Sequence, residues 1–168
     1  METACDIVVE ADPGRLWELV TDIEVPARFS PELRRVRWLD GATGPALGAR
    51  FEGHNRSEVL GEWRTESHVV ACEPPKVFAW ATVDPDGRFG GDDVDPAQPM
   101  STWYFELQPR DGGVLLRHGV RLGPARSGLT LAIESRPEKK DAIVRYRLAE
   151  LRTGMEATLR GIKDLAEG

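Results

Sequence analysis

From Pro137 to Gly168 the chain reads as one amphipathic helix, and most of what precedes it reads as strands. Val144, Leu148, Leu151, Met155, Leu159, Ile162 and Leu165 recur at steps of three and four, with Arg145, Arg152, Glu156, Arg160, Lys163 and Asp164 mainly between them. That spacing belongs to a helix with one apolar stripe, and the stripe needs an apolar sheet face to cover. Ser135 and Glu138 stand at capping-box spacing with Pro137 between them, which predicts the helix start there. A helix is only about 10 Å wide. One helix therefore cannot fill the hollow of a broad curved sheet, and the remaining space is either plugged or open to a ligand.

The strands are read from alternation and from β-branched and aromatic content. Cys5–Glu10 is the first, ended by Asp12, Pro13 and Gly14, where Asp12 suits a helix cap and Pro13 a first helical position. Leu16, Leu19, Val20 and Ile23 mark a short helix, and Ala27–Phe29, bracketed by Pro26 and Pro31, a second. Val36–Leu39, Ala49–Ser57, Trp63–Cys72, Lys76–Val83, Ser101–Gln108 and Val114–Leu122 complete seven strands. Asp111, Gly112 and Gly113 predict a hairpin turn between the last two. Gly123–Glu134, with Leu129, Leu131 and Ile133, suits an extra short helix before the closing one.

Composition narrows the classes. At 168 residues and 18.6 kDa the chain suits one domain, residues 1–168, with a sizeable core. A net charge of -6 and a pI near 5.2 argue against nucleic acid as a partner, the basic runs at Arg34–Arg37 and Lys139–Lys140 being short and flanked by acids. No apolar stretch approaches a membrane span, and Met1–Asp6 carries no basic region before an apolar run, so the expected location is the cytoplasm. Cys5 and Cys72 both sit in apolar strand segments, which suits buried reduced thiols. The long loop Asp84–Pro99 carries Asp84, Asp86, Asp92, Asp93 and Asp95 and suits a lid. It does not suit a calcium loop, because Arg88 and Phe89 occupy the fifth and sixth positions and Asp95 the twelfth. His54, His68 and His118 have no ligand-gathering spacing, so no metal is expected. There is no nucleophile elbow and no phosphate-cradling glycine loop.

The segments Gly48–Arg56, Glu73–Trp80 and Ser101–Leu107, with Gly154–Leu159 in the closing helix, resemble the polyketide cyclase/dehydrase-like branch, of actinobacterial type, of the START-like (SRPBCC) helix-grip superfamily. The resemblance implies an α+β helix-grip fold: a curved seven-stranded antiparallel sheet around a long C-terminal helix, two short helices after the first strand, and a mostly apolar cavity between sheet and helix. It implies no cofactor. Cone-shaped folds of the nuclear-transport-factor type also enclose apolar pockets, but they lead with long helices.

Alternation assigns side chains to faces. Phe51, Gly53 and Asn55 share one face of their strand, and Arg50, Glu52, His54 and Arg56 the other, which should meet water. Phe78, Trp80 and Thr82 point inward, as do Trp103, Phe105 and Leu107, and Val114, Leu116, His118, Val120 and Leu122. On the fourth strand Trp63, Thr65, Ser67, Val69 and Ala71 are taken as the inner set. Met155 and Leu159 then form the opposite wall. His118 and Asn55 are the candidate catalytic groups, an imidazole among apolar neighbours and an amide able to fix a carbonyl. The candidate ligand-binding set is Phe51, Trp63, Thr65, Ser67, Phe78, Trp80, Trp103, Phe105, Met155 and Leu159.

The expected function is binding of a small hydrophobic or aromatic ligand, polyketide- or lipid-like, with cyclisation or dehydration of a polyketide chain as its catalytic form. Two readings stay open beside it: a non-enzymatic carrier or sensor of a hydrophobic metabolite, and a regulatory module that binds another protein through the outer face of the sheet or the acidic loop.

Overall fold

The computed structural model describes residues 1–91 and 94–168, so the predicted loop acids Asp92 and Asp93 lie outside the described residues. Strand β1 (Glu2–Val9) is followed by helices α1 (Pro13–Thr21) and α2 (Glu24–Phe29). Six strands come next: β2 (Leu33–Trp38), β3 (Arg50–Ser57), β4 (Gly61–Glu73), β5 (Val77–Val83), β6 (Ser101–Arg110) and β7 (Gly113–Leu122). Helices α3 (Gly128–Ser135) and α4 (Lys140–Glu167) close the chain. The strands form one antiparallel sheet in the order β1-β7-β6-β5-β4-β3-β2, with β1 and β2 at its edges. This is the α+β helix-grip arrangement expected from the order of elements.

Local chemistry accounts for most boundaries. The Asp12 carboxylate accepts from the Gly14 and Arg15 backbone N–H groups, capping α1 with Pro13 in its first turn. Asp111 and Gly112 make the tight turn between β6 and β7, with Gly112 at φ 79°. The start of the closing helix differs from the sequence expectation. Arg136 precedes a proline and leaves the helical region (φ -144°, ψ 68°), Pro137–Lys139 form a single 3-10 turn, and α4 begins at Lys140. Ser135 therefore belongs to the end of α3, its hydroxyl donating to the Ala132 carbonyl rather than capping the next helix. A cap of this kind stands one helix earlier, where the Thr130 hydroxyl accepts from the Ser127 N–H at 3.0 Å.

Helix α4 runs about 42 Å at 1.5 Å per residue, and its first buried residue is Leu151. The first eleven residues are thus exposed or half-buried. The second half packs into the core through Leu151, Met155, Leu159 and Ile162, joined there by Leu16, Leu19 and Val20 of α1 and by Phe51, Phe78, Phe105, Val114, Leu116 and Val120 of the sheet. Its closest backbone approach to the sheet is along β1. There Arg152 donates to the Ala4 carbonyl and Lys163 to the Val8 carbonyl, so two cations of α4 occupy acceptors that an edge strand otherwise leaves open to another chain. Helix α2 packs against α4 at Gly161, where a Cβ would lie 2.5 Å from the Phe29 ring.

Two face assignments need correction. The β4–β5 register shifts between Val69 and Ala71, leaving Val70 exposed. Beyond this bulge Cys72 stands opposite Phe78 and packs against the core, while Ala71 stands opposite Ala79, so the inner face passes from Val69 to Cys72 and excludes Ala71. Glu52 lies on the outer face with Arg50, His54 and Arg56, yet it does not meet water. Arg37 on the neighbouring strand covers it at 2.9 Å, and its side chain is only 6% exposed. Burial disfavours its charge, but hydrogen bonds from His54 and Arg37 outweigh that and hold the carboxyl below its ordinary range.

Candidate functional site

The inner face of β5, β6 and β7 carries an aromatic cluster. Trp80 on β5 and Trp103 on β6 are cross-strand partners, with rings 6.5 Å apart and nearly parallel at 7°. Phe51 and Phe78 flank Trp80 at 6.2 and 5.4 Å. His118 on β7 stands opposite Phe105, and the two rings stack at 4.1 Å and 12°. It also lies 5.8 Å from Trp103 and 6.4 Å from Trp80. Three strands thus contribute five aromatic rings, three of which lie beside the imidazole that β7 adds.

Burial divides this cluster into two layers. Phe51, Phe78, Phe105 and His118 are buried, whereas Trp80 and Trp103 are half-buried although they occupy interior strands of the sheet. A tryptophan on the inner face of a central strand keeps exposure only where no helix covers it. Helix α4 leans toward β1, and α3 buries none of its eight residues, Leu129, Leu131 and Ile133 included. The inner face is therefore apolar, aromatic and incompletely covered.

The polar groups on this face are few. The His118 Nδ1–H donates to the Tyr104 carbonyl at 2.9 Å, which leaves Nε2 as the lone-pair nitrogen of a neutral imidazole. Burial pushes the His118 pKa down to about 4. Ser67 and Thr82 bond each other at 3.0 Å, and the Trp103 indole N–H donates to Ser101 at 3.0 Å. The Asn55 amide lies 3.4 Å from the Thr65 hydroxyl, which itself donates to the Gly53 carbonyl.

The sequence-derived candidates fall into three places. Phe51, Phe78, Trp80, Trp103, Phe105 and His118 come together as described. Asn55, Trp63 and Thr65 are half-buried toward the hairpin end of β3 and β4, with Trp63 opposite Asn55, and lie outside the aromatic cluster. Met155 and Leu159 are each 2% exposed and belong to the packed core. Thr82 and Ser101 were not singled out from the sequence. Thr82 shares the alternation of Trp80, so its face was legible, but its pairing with Ser67 depends on the β4–β5 register.

A helix-grip sheet with an aromatic cluster on its inner face defines the class of fold. The chain belongs to the polyketide cyclase / dehydrase and lipid transport family, which it matches over residues 3–167. A polyketide-cyclase-like protein from Corynebacterium glutamicum, solved by NMR, is 26% identical, with 99% of this chain and 91% of that one aligned at a TM-score of 0.62. The di-domain ARO/CYC protein StfQ of the steffimycin biosynthetic pathway shares the fold at a TM-score of 0.71 and 15% identity, covering 99% of this chain and 50% of its own. The di-domain ARO/CYC protein BexL of the BE-7585A pathway aligns at 0.67 and 17% identity, with 100% of this chain and 50% of that one covered. No curated protein matches the sequence.

Proposed function

We propose that this protein binds a small aromatic or otherwise hydrophobic ligand, of polyketide- or lipid-like character, on the inner face of the sheet beside α3 and α4. The observation that carries the reading is the incomplete burial of Trp80 and Trp103 on interior strands, where an apolar side chain otherwise gains from complete burial. A flat ring laid against these indoles covers that surface, and a ligand hydroxyl has an acceptor in Nε2 of His118. Family membership supports the same ligand class.

Ring closure of a polyketide chain is the catalytic form of this reading, supported by the family and by the likeness to cyclases. His118 would take the proton, the two indoles would hold the chain bent, and the aromatic wall would keep water from its carbonyls. The depressed pKa of His118 bears on the choice. A base works best when its pKa is near the working pH, and an imidazole at about 4 serves better as a fixed hydrogen-bond acceptor than as a proton carrier. That favours binding or carriage over ring closure. Asn55, engaged with Thr65, is a less available second group.

Calorimetric titration with a fused-ring phenol tests the proposal. Trp103→Ala and Trp80→Ala should each weaken binding at least tenfold, in keeping with the loss of an aromatic contact. Unchanged affinity in both variants contradicts it. Turnover of a poly-β-carbonyl thioester by His118→Gln separates the forms: a loss of a hundredfold or more marks a base, and unchanged turnover removes that role.

A further inference from the structure

The face turned away from α4 carries a feature that hydrophobic-ligand binding does not use. The strand segments His54–Arg56 and Glu62–Arg64 floor a hollow of about 410 Å³, walled by Arg34 and Arg35 at the start of β2 and by Asp86 and Arg88 from the loop after β5. In a chain of net charge -6 this hollow gathers five guanidinium groups against two carboxylates. Local ion pairs take up only part of that charge. Arg64 is held by Asp86 in a bidentate pair at 3.0 and 2.6 Å and lies 3.8 Å from Glu52. Among the described residues, Arg34, Arg35, Arg56 and Arg88 join no carboxylate, Arg88 donating instead to the Leu60 carbonyl at 2.8 Å, and the neighbouring pairs go to Arg37, Arg50 and Arg64.

The floor is also built. Buried Glu52 accepts from Arg37 and from Nε2 of His54, so the imidazole is fixed at the base of the hollow. Five guanidiniums against two carboxylates round a fixed floor repel one another, and that repulsion is relieved by an anion whose oxygens reach several of them at once. A phosphate group offers more acceptor oxygens, and more charge, than a carboxylate. The hollow's volume also falls within the range of small-molecule sites.

We infer that this hollow is a binding site for an organic phosphate, its phosphate groups held by Arg34, Arg35, Arg56 and Arg88 on the face opposite the aromatic cluster. The inference is independent of the hydrophobic-ligand reading, because none of these four arginines belongs to the aromatic cluster. Inorganic pyrophosphate is the probe, titrated calorimetrically into the full chain at 50 mM salt. Saturable one-to-one binding is expected, weakened at least tenfold in Arg35→Gln/Arg56→Gln and by a similar factor at 200 mM salt, since salt screens the attraction between these exposed guanidiniums and the anion. Arg117→Gln, at an exposed arginine paired with Asp6 on β1, and Trp103→Ala should leave it unchanged. Three results overturn the inference: no saturable binding, an equal loss in Arg117→Gln, or citrate binding as tightly as pyrophosphate.

Discussion

Truncating Phe105 to alanine should lower the stability of the fold by about 3–5 kcal/mol, the range for a fully buried aromatic ring replaced by a cavity. Phe105 has no exposed surface, packs in the common core of sheet and helices, and carries His118 in a stack 4.1 Å away. Its removal takes away both the buried area and the surface against which the imidazole is held. Chemical denaturation with circular dichroism measures the loss, and for a chain of this length the melting temperature should fall by roughly 10 °C or more. A loss below about 1 kcal/mol would mean that the core collapses round the gap, or that Phe105 is less enclosed than described.

The second large effect is on pH dependence. His118 is buried and neutral, with its pKa moved from 6.5 to about 4 by loss of hydration. Between those values the unfolded chain binds a proton on this residue that the folded chain does not. The contribution is therefore fully present above pH 6.5 and is lost as the pH falls from 6.5 toward 4. Integrated over that window the loss is about 3 kcal/mol, at 1.4 kcal/mol per pH unit. His118→Gln keeps a side-chain donor without titrating, so its stability should fall less steeply over the same window. The difference between the two proteins isolates His118 from carboxylates titrating alongside it. Parallel stability curves between pH 4 and 6.5 would falsify this account of the imidazole.

Most of the architecture was legible because it rests on local rules. Alternation in Trp103, Phe105 and Leu107 and in Leu116, His118 and Val120, the Asp12 cap and the Asp111–Gly112 turn each depend on neighbours in sequence. The departures depend on partners elsewhere. The bulge at Val70 moves Cys72 to the inner face through pairing with β5, which no periodicity within β4 reveals. Glu52 is buried because Arg37 comes from another strand. The start signal at Pro137 predicts the first turn of α4 there, but Pro137–Lys139 form a 3-10 turn and Lys139 leaves the helical region (φ -106°, ψ 13°) before α4 begins.

The candidate site was legible in the same proportion. Parity alone brought Trp80, Trp103, Phe105 and His118 to one face. It did not separate the partly buried indoles from the fully buried phenyl rings, because exposure depends on where α4 lies, and α4 lies toward β1. That also explains why Met155 and Leu159 pack in the core. The arginine hollow draws on three separate segments, Arg34–Arg35, the β3–β4 hairpin and Arg88, and appears only once the strands are registered.

The indole N–H resonances of the five tryptophans, followed during titration with a fused-ring phenol, test ligand binding at the inner face most directly. Trp80 and Trp103 should shift saturably and together, Trp103 most clearly through its bond to Ser101, while Trp17, packed edge-on against Phe78 from α1, should stay in place. Saturable shifts at Trp17 with Trp80 and Trp103 unmoved would place the ligand elsewhere and contradict the account.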